Sequence, residues 1–97
     1  MRVTERAHEM VRVVVQPGET VIDATIGNGH DTLFLARCVG SGGLVIGFDV
    51  QKDALEATRR RLVEAGIEEE RARLLLEGHQ RLEAEVEGPV AAVMFNL

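Results

Sequence analysis

The spacing of apolar residues changes in a regular order along the chain. Ala7, Met10, Val11 and Val14 recur at helical intervals and stop at Gln16-Pro17-Gly18, a turn signal, so the chain is expected to open with a helix. Thr20 to Ala24 is short, β-branched and almost wholly apolar, as expected of a parallel strand covered by helices on both faces. A loop, Thr25 to His30, follows. Asp31 or Thr32 then starts a helix through Val39, which Gly40-Ser41-Gly42-Gly43 ends. Leu44 to Phe48 reads as a second buried strand, closed by Asp49. Asp53 stands three residues before Glu56, a capping-box variant that predicts the start of a helix there, with Leu55, Thr58 and Leu62 inward and Ala65-Gly66 as its stop. Glu68 to Arg71 reads as a solvated connector, Arg73 to Leu76 as a third strand and Gln80 to Val86 as a short helix. Gly88-Pro89 is a break, and Val90 to Phe95 is a fourth strand.

Strands alternating with helices predict an α/β fold: a Rossmann-like, doubly wound parallel sheet of four strands in the order 3-2-1-4. Ligands of such sheets bind at the carboxyl ends of the strands, which places Gly27, Gly29, Asp49, His79 and Asn96 along one edge. With 97 residues there is room for one domain with a thin core. No apolar run approaches the ~20 residues that cross a bilayer, and the polar amino terminus lacks the pattern of a secretory signal. A cytoplasmic protein without a membrane partner is therefore expected.

Cys38, the only cysteine, allows neither an internal disulfide nor a thiolate zinc cluster; it reads as buried filler, with a reactive thiol as the sharper alternative. His8, His30 and His79 lack the paired short spacing of zinc ligands, so no metal is expected. Eleven basic against 16 acidic residues, a net charge of −5, argue against a chain that grips nucleic acid by bulk charge; any RNA contact must be local. Arg59, Arg60 and Arg61, with Arg71 and Arg73, are either such a contact or a solvated face, and no aromatic residues accompany them to stack bases.

The most informative segment is Val21-Ile22-Asp23-Ala24-Thr25-Ile26-Gly27-Asn28-Gly29-His30-Asp31, the outline of a strand, nucleotide-binding loop and helix. Its two glycines can adopt backbone angles closed to other residues and leave no Cβ between the chain and a flat cofactor. A dinucleotide and S-adenosylmethionine compete for such a loop. Thr32 stands where a dinucleotide loop needs a third small residue, and Asp31 would repel a pyrophosphate from the positive end of the helix. Adenosylmethionine carries a sulfonium and an ammonium, for which Asp23 and Asp31 are suitable neighbours, and free loop amides can take its carboxylate. Asp49, at about the 20-residue spacing expected of the acid that holds ribose hydroxyls, suits either cofactor; it can also simply cap its own turn. Gln51 then lies near the adenine edge.

These residues carry a resemblance to a known family. Asp23-Ala24-Thr25, Gly27-Asn28-Gly29-His30-Asp31-Thr32-Leu33-Phe34-Leu35-Ala36, Gly47-Phe48-Asp49-Val50-Gln51, Gly78-His79 and Met94-Phe95-Asn96-Leu97 together resemble the rRNA methylases of the class I adenosylmethionine-dependent superfamily. The resemblance covers nearly the whole chain, although Thr25 stands where the wider superfamily has the first glycine of its loop. It implies S-adenosylmethionine as cofactor, held by Asp23, Thr25, Gly27, Asn28, Gly29, His30, Asp31, Thr32, Asp49, Gln51 and His79. It also implies an RNA substrate, with tRNA favoured, because family members methylate the aminomethyl group of its wobble uridine. Asn96, after the fourth strand, would orient a neutral amine through its side-chain carbonyl, or else serve as a strand-end turn residue.

Relatives continue beyond the Asn-Leu pair into a further loop and strands that complete the sheet. The expectation is thus a single adenosylmethionine-binding domain, residues 1–97, resembling the amino-terminal half of a class I methyltransferase and incomplete at its carboxyl end. A fourth strand left at an edge would favour a homodimer. Three readings stand: an RNA methyltransferase, a cofactor-binding fragment without activity of its own, and a dinucleotide-binding domain.

Overall fold

The strongly apolar, β-branched runs form the strands expected of them. The computed structural model describes residues 3–86 and 88–95, with side chains from residue 8 onward except that of residue 79. Asn96 and Leu97 lie outside the described residues. The elements are helix α1 (Val3–Val14), strand β1 (Thr20–Asp23), helix α2 (His30–Val39), strand β2 (Leu44–Asp49), helix α3 (Lys52–Glu64), strand β3 (Ala72–Leu76), helix α4 (Leu82–Glu85) and strand β4 (Ala92–Met94). Short 3-10 turns at Glu69–Arg71 and His79–Arg81 precede β3 and α4. Among the described residues, no helix is long and apolar enough to cross a membrane.

The four strands are all parallel, in the order β3-β2-β1-β4 expected of the chain. Val21 pairs with Val45 on one side and Ala92 on the other, and Val45 pairs with Ala72. Alternation along the strands sends successive side chains to opposite faces. Val21 and Val45 join Leu35, Ala36 and Val39 of α2, Leu62 of α3 and Val11 of α1 in the larger core cluster. Ile22, Ile46 and Phe48 point the other way, against Leu75, Leu82, Val86 and Val90. Helices thus cover both faces. The direction of winding reverses at β1, whose neighbours are β2 and β4, and this is where a ligand crevice opens in such sheets.

The structure departs from the sequence-based expectations in several places: α2 starts at His30 rather than Asp31 or Thr32, and the helix expected over Gln80 to Val86 is a 3-10 turn followed by the four residues of α4. Asp53 does not cap α3: the helix starts one residue earlier, at Lys52, with Gln51 in the extended N-cap position and no side-chain cap. Asp49 organises this start instead, since its Oδ1 accepts the Gln51 N–H at 2.9 Å while the Gln51 carbonyl accepts the Ala54 N–H. Asp53 still suits the first turn, where a negative charge meets the positive end of the helix dipole. The segment before β3 is not simply solvated. It coils into a 3-10 turn in which Arg71 pairs with Glu68, the Arg71 side chain being only 13% exposed. The fourth strand is shorter than its apolar run, because only Ala92 to Met94 find partners on β1.

Gly43 joins α2 to β2 through a close approach. A Cβ there would overlap the Val39 side chain and lie 2.8 Å from the Glu19 carbonyl oxygen. Both obstacles are fixed, one by the core and the other by its hydrogen bond from the Leu44 N–H. Gly43→Ala is expected to cost about 1–3 kcal/mol through overpacking, read as a lower urea midpoint at unchanged m-value.

Candidate functional site

Strand β1 ends on a carboxylate that has no exposed surface. Asp23 is 0% exposed; its Oδ2 accepts the Thr32 hydroxyl at 2.6 Å and its Oδ1 the Thr25 backbone N–H at 3.3 Å. Burial pushes its pKa from the ordinary 3.8 up to about 6; the Thr32 and Thr25 hydrogen bonds oppose the rise, and the charges of Asp31 and Asp49 add to it. Asp23 therefore braces the first turn of α2 against the strand rather than standing free beside a ligand. Thr32, which is also fully buried, is the donor that this brace requires. That gives a physical reason for a threonine where a dinucleotide loop would carry a small residue.

Each turn of the loop has its own anchor. Ile26 is buried, and its N–H donates to the Phe48 carbonyl at 3.0 Å. Gly47 makes room for it, since a Cβ there would lie 2.9 Å from the Ile26 side chain. Gly27, at φ 61°, donates its N–H to Asp49 Oδ2 at 3.0 Å, so one carboxylate ties the loop to the end of β2. Gly29, at φ 87°, sits directly on α3, where a Cβ would fall 2.6 Å from Thr58 Oγ1. Its lack of a side chain thus serves packing against Thr58, not only access for a flat ligand. Asn28 works in both directions: its Oδ1 accepts the His30 N–H at 3.2 Å, and its carbonyl accepts Arg61 Nε–H at 3.0 Å.

The opening helix completes the arrangement. His8 Nε2 donates to Asp31 Oδ1 at 2.7 Å, and the His8 ring stacks on Phe34 with centroids 3.8 Å apart. Asp31 is itself buried in the first turn of α2. The structure thus brings Asp23, Thr25, Gly27, Asn28, Gly29, His30, Asp31, Thr32, Asp49 and Gln51 together at the carboxyl ends of β1 and β2. His79 follows β3 at the same edge, in the 3-10 turn, with its side chain outside the described set. The sequence-based expectation for Asn96 also falls outside the described residues. Arg61 and the His8 bond to Asp31 were not legible as parts of the site, because both reach it from helices remote in sequence and no local spacing marks such contacts. Cys38 is half-buried rather than buried, and burial pushes its thiol up, against a lowering effect of Arg12.

The charge pattern is chemically selective. Three carboxylates, Asp23, Asp31 and Asp49, surround the loop, and the first-turn amide of His30 is already taken by Asn28. A pyrophosphate needs the free positive end of a helix, whereas a cationic ligand is favoured by this set. Asp49 uses one lone pair on each oxygen for Gly27 and Gln51, leaving acceptor capacity for a diol.

The chain is similar to known proteins. A family profile described as "Putative rRNA methylase" matches residues 45–97. The chain is 48% identical over 69 residues to the chloroplastic tRNA (mnm(5)s(2)U34)-methyltransferase of Arabidopsis thaliana, a match covering 66% of this chain and 25% of that protein. The crystal structure of a "putative rRNA-methylase" from Clostridium thermocellum superposes with a TM-score of 0.96 at 41% identity, over 100% of this chain and 52% of that one. A "putative methyltransferase" from Streptococcus mutans, crystallised with SAH, gives a TM-score of 0.90 at 38% identity, again over 100% and 52%. The chain therefore spans about half the length of these solved structures and about a quarter of the plant relative.

The buried Asp23 makes stability depend on pH with a definite sign. Because its folded-state pKa is raised, the folded protein keeps a proton that the unfolded chain has lost between pH 3.8 and about 6. Its contribution to stability should fall across that window and stay constant above it, a loss on the order of 2–3 kcal/mol. In Asp23→Asn this component should be absent. Urea midpoints of the two proteins measured across that pH range check it, and parallel curves would sink the assignment.

Proposed function

The chain belongs to the rRNA methylase family, and from that membership and the site geometry we propose that it holds S-adenosylmethionine for methyl transfer to RNA. One observation carries the cofactor assignment: the loop at the end of β1 is flanked by Asp31 and Asp49 and braced by buried Asp23, a set suited to a cationic adenosine ligand. Support also comes from the Streptococcus mutans relative, which was crystallised with SAH. The residues fit the group in kind. Asp49 retains lone pairs for ribose hydroxyls, and Gly27 and Gly29 hold left-handed angles that keep side chains off the loop. Gln51, at the exposed start of α3, lies beside Asp49 and is assigned to the adenine edge, with His79 assigned to the neighbouring β3 end.

When bound, the cofactor supplies a methyl group on a sulfonium, open to in-line displacement by a nucleophile. The protein's part is then alignment and exclusion of water. Thr25, Asn28, His30 and Thr32 keep the loop in its folded-back shape, and Asp31 puts negative charge at the mouth of α2. Asn96, two residues past the end of β4 in the sequence, is proposed to orient a neutral amine through its carbonyl oxygen without adding a charge. The name of the Arabidopsis relative supports the aminomethyl group of the tRNA wobble uridine as the acceptor.

Calorimetry tests the cofactor reading. S-adenosylhomocysteine should bind and NAD should give no response, while Asp49→Ala should weaken S-adenosylhomocysteine by more than about tenfold through loss of charge-assisted hydrogen bonds. Tight NAD binding would defeat the reading. Methyl transfer to undermodified tRNA, assayed with this chain and with a form extended beyond Leu97, then shows whether these residues act alone.

A further inference from the structure

One face of α1 meets one face of α2 in an open depression of about 590 Å³, lined by His8, Arg12, Val15, Leu33, Phe34, Arg37, Cys38 and, at the loop end, His30. The spacing explains the lining. Residues 8 and 12 of α1 follow a helical interval, with Val15 just past its end, and 30, 33, 34 and 37 do the same on α2, so each set forms a ridge facing the other. Among the described residues, no carboxylate lines the depression. Asp31, next to His30, is buried and bonded to His8.

The arginines elsewhere are differently placed. Arg71 pairs with Glu68, Arg73 and Arg81 lie against Glu85, and Arg61 is spent on the loop carbonyl. Among the described residues Arg12, Arg37, Arg59 and Arg60 take part in no ion pair, but Arg59 shares its hollow with Glu68, Glu69 and Glu70, whereas Arg12 and Arg37 share theirs with each other. The Arg12 guanidinium lies 5.0 Å from the centre of the Phe34 ring, which His8 also stacks upon. Stacking on an aromatic face restricts the guanidinium while leaving its N–H donors free. In a chain of net charge −5, two guanidinium groups without an ion pair among the described residues, sharing one concave surface, form a local positive field.

We propose that the α1–α2 depression binds a backbone phosphate of the RNA substrate, with Arg12 and Arg37 as its donors. This rests on the RNA reading given above. The planar N–H fork of arginine matches phosphate oxygens, and the competing basic cluster on α3 has Glu68, Glu69 and Glu70 beside Arg59. His30 belongs both to the glycine loop and to the rim of the depression, so a phosphate held there brings the RNA strand alongside the cofactor loop. Such a contact positions the substrate and carries no base preference.

Anisotropy of labelled, transcribed tRNA with the full chain, measured over a range of salt concentrations, tests the site. Arg12→Gln/Arg37→Gln should weaken binding about fivefold near 0.1 M salt and reduce the slope of log affinity against log salt by about 0.7, the share of one phosphate contact to a single strand. Arg37→Gln alone should show part of both effects. Arg59→Gln/Arg60→Gln, on α3, should leave the slope unchanged. S-adenosylhomocysteine affinity, unaltered in all three variants, confirms that each is folded. Wild-type binding of tRNA with an unchanged slope in the Arg12/Arg37 variant would overturn this site alone, as would a loss confined to the Arg59/Arg60 variant. Wild-type binding of S-adenosylhomocysteine but of no RNA would overturn the RNA reading and the site with it.

Discussion

The loop geometry depends on a carboxylate that pays heavily for its position. Asp23 sits at the end of the central strand with no exposed surface, and its charge is tolerable only because Thr32 and Thr25 donate to it. Those two bonds fix where α2 begins relative to β1. The five residues between Asp23 and Gly29 have little freedom left, since Ala24 is bonded to Met94, Ile26 to Phe48 and Gly27 to Asp49. A loop held at this many points is preorganised, so a ligand that fits it need not spend binding energy on ordering it.

The second source of rigidity lies outside the strand-loop-helix unit. Helix α3 supports the loop from one side through Thr58 under Gly29 and Arg61 on the Asn28 carbonyl, and α1 supports α2 through His8. The loop also explains a glycine that is not in it: Gly47, on β2, is bare because Ile26 lies over it. Substitutions at Thr58 or Gly47 would thus be felt at the site although neither residue has ligand chemistry.

Much of this was readable from the chain, and the readable part has a common cause. Val21 to Asp23 and Leu44 to Asp49 announce themselves because a buried parallel strand must be apolar on both faces, and the sheet order follows from right-handed crossovers. Asp49 was legible by its distance from Gly27, and Thr58 by its place on the inner side of α3. What escaped depends on competition or on distance in sequence. Asp53 and Glu56 satisfy the capping pattern, yet the Asp49 turn reached the backbone first and moved the helix start to Lys52. Whether Asp23 would face a ligand or the protein could not be read from its position at a strand end. The decision came from Thr32, nine residues on, whose hydroxyl is the nearest donor.

His8 joins two regions of opposite electrostatic character. Its ring nitrogen holds Asp31, part of the acidic set around the glycine loop, while its face covers Phe34, over which the Arg12 guanidinium lies. A cationic ligand and an anionic one can therefore be accommodated at opposite sides of a single helix start, in a protein whose overall charge alone would favour only the first. Separating the two matters because each charge would weaken the other's ligand if they shared one cavity. The histidine satisfies the buried acid on one side and stacks beneath the cationic surface on the other. The arrangement makes α1 a structural link between the cofactor loop and the proposed RNA contact, so the position of that helix bears on both.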